Sequence, residues 1–164
     1  MMSDIPSAST PTIEIAEATI SDVEHILPLF CAYREFYGGL PEVEASREYI
    51  TERLILRDGV IFLAWLREGE GAVARPVGMA QLHMSYSSGA LKRRWILNDL
   101  FVAPQARRIG IGRLLLERCR AFAIETRAAG LQLRTEVDNA AAQALYESCG
   151  WLRDERFYTY NLTV

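Results

Sequence analysis

Cysteine and histidine are scarce in this 164-residue chain: three cysteines, two histidines and no CxxC pair. An odd count rules out a fully paired disulfide framework, and Cys31, Cys119 and Cys149 read as reduced thiols on apolar helix faces of a cytoplasmic protein. Two isolated histidines offer no metal-ligand spacing, so no metal site is expected. Long hydrophobic runs are also missing. The longest, such as VIFLAWL at 60–66, fall far short of the ~20 residues needed to cross a bilayer, so no membrane role is expected. The opening MMSDIPSASTPT has neither a basic start nor an apolar stretch. It reads as a frayed tail over residues 1–11 and not as a signal peptide. A net charge of −3 is not the balance of a nucleic-acid binder, and the basic run Lys92, Arg93, Arg94 reads as a solvated face.

Half of the residues are hydrophobic and 24% are charged, the balance of a folded globular chain. Residues 12–164 are expected to form a single domain. IEIAEA at 13–18 alternates like a half-buried strand. Ser21 and Glu24 are spaced as a capping box before a helical repeat of Val23, Ile26, Leu27, Phe30 and Tyr37, and a second helix is expected over 46–56. Strand patterns follow at 60–66, 77–86 and 95–102, then an amphipathic helix with Ile111, Leu114, Leu115, Cys119 and Phe122 on one stripe. A strand at 131–137, a short helix at 139–150 and a last strand at 157–162 complete the order. The expected fold class is mixed α/β (α+β), with a mostly antiparallel sheet and at least one parallel crossover through the helix that holds Arg113.

The stretch RRIGIGRLLLERC at 107–119 places Gly110 and Gly112 at the opening turn of that helix. A helix start exposes unpaired backbone N–H groups and the positive end of the macrodipole, and glycine lets a phosphate oxygen reach them. Arg107 and Arg108 would add charge-assisted bonds. The other reading is a tight strand-to-helix turn. Leu115 stands where a dinucleotide fingerprint needs its third glycine, and no Gly-Lys-Ser/Thr end makes it a Walker loop.

Two blocks, LNDLFVAPQARRIGIGRLLLERC and NAAAQALYESCGW, resemble the acetyl-CoA motif and the second motif of the GNAT superfamily of N-acetyltransferases. The resemblance implies a sheet of six to seven strands, splayed between the strands at Trp95 and Leu131, with helices on both faces. It implies acetyl-CoA as co-substrate, its pantetheine arm along Leu100, Phe101 and Val102. The N–H groups of Arg108, Ile109, Gly110, Ile111 and Gly112 would hold its pyrophosphate, and Asn139 and Tyr146 would line its other side. The reaction implied is direct acetyl transfer to a primary amine: a small amine, an amino acid or a protein lysine. Tyr146 would protonate the leaving thiolate, while Asp99 and Glu136 are candidate acids. Asp99 also reads as a strand acid paired with a nearby arginine, and a water chain could serve in place of either acid. Strand alternation places Asn98 and Asp99 on opposite faces, so only one is expected to point into the gap. Phe36, Tyr37 and Asn98 are candidate substrate contacts, and Glu35, Glu42 and Glu44 could attract a cation. A non-catalytic acyl-CoA-binding regulatory module is the alternative on the same fold. The aromatics Phe157, Tyr158 and Tyr160 suit a homodimer interface.

Overall fold

The computed structural model describes residues 10–164, so most of the expected N-terminal tail lies outside the described residues. The chain divides into two compact units, Met1–Arg134 and Thr135–Val164. Within the first, the elements run β1 (Thr12–Glu17), α1 (Val23–Phe36), α2 (Val43–Leu56), β2 (Gly59–Arg67), β3 (Arg75–Ser87), β4 (Lys92–Val102), α3 (Ile111–Glu125) and β5 (Leu131–Leu133). They build one sheet in the order β1-β2-β3-β4-β5. The first four strands are antiparallel neighbours and β5 runs parallel to β4. A parallel return needs a crossover connection, and α3 supplies it.

One sheet face packs against α1 and α2. Its core contains Ile26, Leu27, Phe30, Ile50, Ile61, Leu63, Met79 and Phe101. The other face packs against α3, where the Phe122 ring lies 5.5 Å from Phe62 and 5.0 Å from Trp95. Trp95 Nε1 also donates to Thr126 Oγ1 at 2.9 Å. Burial of these apolar faces is the main stabilising term of such a layered fold.

Several boundaries differ from the sequence expectations. The capping box forms two residues early: Thr19 and Asp22 cap a short 3-10 turn before α1. That turn places Ser21 within it and Glu24 in the first turn of α1, and neither serves as the cap. The strand expected over 131–137 stops at Leu133. Among the described residues the sheet has five strands and not six or seven, because residues 157–162 form no strand. Phe157, Tyr158, Tyr160 and Leu162 are all exposed, and an alternating segment needs a partner edge to satisfy its backbone.

In the second unit, α4 (Ala140–Ser148) is capped by Asn139, whose side chain accepts from the Ala142 N–H at 3.1 Å. Among the described residues no helix is long and apolar enough to cross a membrane. The three cysteines are free. Burial pushes the Cys119 thiol up to about 12, so it packs as an inert apolar group.

Gly78 on β3 sets how closely α3 approaches. A Cβ there would meet Ile111 Cγ2 and the Phe101 carbonyl oxygen at 3.1 Å and Leu115 Cδ1 at 3.3 Å. Gly78→Val is expected to cost about 1–3 kcal/mol by overpacking, read as a lower denaturation midpoint; unchanged stability would show that α3 is not seated on this glycine.

Candidate active site

Strand β4 carries the feature that builds the site. Its residues pair with β3 as Leu97 with Leu82 and Asp99 with Gln81, which leaves Asn98 as an extra residue, a β-bulge. In a regular strand of the same residues, 95, 97, 99 and 101 would all face one side. With the bulge, Trp95 faces α3 while Phe101 faces Tyr33 of α1, ring centroids 6.4 Å apart. The pairing with β5 also covers only Trp95, Ile96 and Leu97, ending where the bulge begins. Beyond it, β5 stops at Leu133, and the edge of β4 at Leu100, Phe101 and Val102 that faces away from β3 has no strand partner among the described residues.

Asp99, 4% exposed, enters a polar cluster on the α1–α2 face. Tyr33 hydrogen-bonds to its carboxyl, and Asn98 Nδ2 donates to both carboxyl oxygens at 3.2 and 3.3 Å. The bulge therefore brings Asn98 and Asp99 together, where strand alternation predicts them on opposite faces. Burial raises the Asp99 carboxyl above its ordinary range, and the hydrogen bonds with Tyr33 and Asn98 and the nearby His83 oppose that rise. The Tyr49 hydroxyl of α2 lies 3.3 Å from His83 Nε2. Burial lowers His83, with Asp99 and Asp58 pulling the other way, and raises Tyr49 with Asp99 adding to the effect. A neutral imidazole and a protonated phenol at neutral pH follow.

The sequence reading missed Gln81, His83, Tyr33 and Tyr49 as site residues. A signal was present: in VGMAQLHMSY, Gln81 and His83 are polar groups two apart in an otherwise apolar strand, which puts both on one face.

From the cluster an aromatic chain leads to the start of α3. Tyr33 meets Tyr37 at 5.1 Å and Tyr37 meets Phe36 at 5.1 Å. The Arg107 guanidinium lies over Phe36 and Phe101 at 5.6 and 5.8 Å, and its Nε donates to the Val102 carbonyl at 2.9 Å. Arg107 thus ties the end of β4 to the approach of α3. Glu42 pairs with Arg34, and Glu44 pairs with Arg47 at 3.4 Å, so these two acids already hold cations. Beyond Arg107, Arg108 (φ 68°) and Gly110 (φ 91°) both take left-handed backbone conformations. Gly110 is the N-cap of α3 with no side-chain cap. A Cβ on it would meet nothing within 4 Å, so its value lies in the positive φ and in the open space over the helix start. The first bond of the helix runs from the Leu114 N–H to the Gly110 carbonyl at 3.1 Å. The amides of Ile111 and Gly112 precede it, without i−4 partners inside the helix. Two left-handed residues ahead of such donors make a backbone concavity suited to an anion.

Residues 26–151 match the model of the acetyltransferase (GNAT) family. The chain belongs to the GNAT acetyltransferase family. The uncharacterized N-acetyltransferase YhfO of Bacillus subtilis (strain 168) is 38% identical over 152 residues, covering 93% of this chain and 98% of that protein. A crystal structure of a probable acetyltransferase, 41% identical, superposes with a TM-score of 0.85 over 92% of this chain and 97% of the other. The aminoglycoside N-acetyltransferase AAC(6')-Iy in complex with CoA shares the fold at 19% identity, with a TM-score of 0.75 over 98% and 99% of the two chains.

The remaining GNAT-motif residues lie in the second unit. Asn139 is the N-cap of α4. Tyr146 is half-buried on that helix, its ring 6.1 Å from Trp151 and its carbonyl accepting from the Trp151 N–H at 3.1 Å. Glu136 lies on the turn before α4 and not on a strand, its carbonyl accepting from Gln143 Nε2 at 3.0 Å. Among the described residues no cluster of three or more His, Cys, Asp or Glu is placed to hold a metal ion.

Since the folded state raises Asp99, it binds more protons than the unfolded chain at pH values between the two carboxyl pKa values. Wild-type stability is then full below the unfolded value near 4 and falls as pH rises through the folded one. Asp99→Asn, which keeps an acceptor for Tyr33, is expected to melt increasingly above wild type across that window and then run parallel. Melting curves against pH check this; a gap that narrows with rising pH would contradict it.

Proposed function

We propose that this GNAT protein is an acetyl-CoA-dependent N-acetyltransferase acting on a primary amine. The observation that carries the reading is the pairing of an open, glycine-initiated helix start at Gly110 with an unpaired β4 edge at Leu100, Phe101 and Val102. Both are what a long coenzyme with a diphosphate needs: hydrogen-bonding backbone for its arm and N–H donors for its anion. In this reading Arg108, Ile109, Gly110, Ile111 and Gly112 hold the pyrophosphate and Arg107 braces the loop. Asn139 and Tyr146 serve the same coenzyme. When bound, acetyl-CoA supplies an acetyl group on an activated thioester.

The protein's own task is to move two protons. An ordinary amine with a pKa near 10.4 needs about 4.6 kcal/mol to lose its proton at pH 7. Asp99 takes that proton on its carboxylate. Its raised pKa brings it closer to the amine's and makes it a better base than an exposed aspartate, without approaching the amine's own value. Tyr146 gives its hydroxyl proton to the sulfur as the carbon–sulfur bond breaks and the carbon–nitrogen bond forms; the second proton, shed by the acetylated nitrogen, restores the Tyr146 phenol, and Asp99 releases the first to solvent. Free, reduced thiols suit a cytoplasmic setting.

Acetyl-CoA at 100 times its dissociation constant is expected to stabilise the protein by about 2.7 kcal/mol, and an amine panel should release free thiol. Tyr146→Phe should lower kcat at least about tenfold while keeping the ligand-induced rise in Tm. Unchanged turnover would remove Tyr146 from the reaction, and absence of both ligand stabilisation and thiol release would overturn the enzyme reading.

A further inference from the structure

Gln81 is 1% exposed, and neither its Oε1 nor its Nε2 completes a hydrogen bond. A buried carboxamide in that state carries its desolvation cost without compensation, which an apolar residue of the same shape would avoid. The Tyr49 hydroxyl makes a long hydrogen-bonding contact toward Gln81 that falls short of hydrogen-bond distance, and its nearer partner is His83 Nε2 at 3.3 Å. Gln81 pairs in register with Asp99 across β3 and β4. Side chains directly opposite on antiparallel strands start about 5 Å apart on one face, close enough for one small ligand to reach both polar ends. Around them Tyr33, Tyr49 and His83 are half-buried and Asn98 is exposed.

The chemistry of the two ends differs. A carboxylate takes an ammonium or the proton it loses, while a carboxamide with both atoms unfilled wants one group that donates and accepts. A hydroxyl does both. Resting on the N-acetyltransferase reading above, the geometry points to an acceptor with a 1,2-amino alcohol unit, as in an amino sugar: its nitrogen at Asp99 and its hydroxyl on Gln81. Gln81 is then a specificity-determining residue. An acceptor lacking the hydroxyl leaves the carboxamide unpaired and is discriminated against.

A matched pair of amines tests this: trans-2-aminocyclohexanol against cyclohexylamine, with acetyl-CoA as donor, in wild type and in Gln81→Met. Wild type is expected to favour the amino alcohol in kcat/KM by at least about tenfold. Gln81→Met should bring the ratio close to unity, leave the KM for acetyl-CoA unchanged and melt no lower than wild type. Equal use of both amines by wild type, or a preference kept in Gln81→Met, leaves Gln81 a water-bound structural residue and overturns the proposal. A lower Tm for Gln81→Met also overturns it, with or without turnover, by showing that the carboxamide is already satisfied within the protein. Acetyl transfer without preference sinks the proposal alone, whereas no thiol release from any amine sinks the enzyme reading beneath it.

Discussion

One inserted residue in one strand governs the site. Asn98 has no partner on β3, and that single excess has two consequences. It sets Asn98 beside Asp99, where its amide donates to both carboxyl oxygens, and it marks the point where the pairing with β5 ends, at Leu97. A regular ladder would satisfy more backbone and bend less. The bulge therefore costs the sheet local stability in return for a parted edge and a carboxyl held away from water.

The polar cluster around Asp99 follows the same logic. Tyr33, Tyr49, His83 and Gln81 occupy a sheet face that is otherwise built of Ile61, Leu63, Met79 and Phe101. Apolar substitutes would pack there at lower cost. A polar network in such a place rigidifies the core where it is satisfied, and a partly satisfied member leaves hydrogen-bonding capacity unused. The aromatic chain from Tyr33 through Tyr37 to Phe36 and Arg107 joins this cluster to the turn that opens α3.

Much of this was legible in the sequence because it rests on local chemistry. The glycine-opened start of α3 and its apolar stripe need only a few neighbouring residues to be read, and so does Asn139 as a cap. The bulge was hidden for a physical reason. Both sheet faces are covered, so Trp95, Leu97, Asp99 and Phe101 alternate in burial as they would in a regular strand, and burial alone does not say which face each one meets. The segments 134–137 and 157–162 alternate too, yet alternation records what a strand would look like and not whether an edge is free to pair with it. Likewise, the partners of Asp99 come from two helices and a neighbouring strand, a convergence that no local pattern encodes.

Deleting Asn98 is the most direct test of whether the bulge serves the site or the fold. The deletion makes the β3–β4 register continuous, with Asp99 still opposite Gln81 and Leu97 still opposite Leu82. The protein is expected to fold with a Tm near or above that of wild type and to lose its stabilisation by acetyl-CoA. A variant that keeps the full ligand-induced rise in Tm would contradict the account, because the parted edge would then owe nothing to the extra residue.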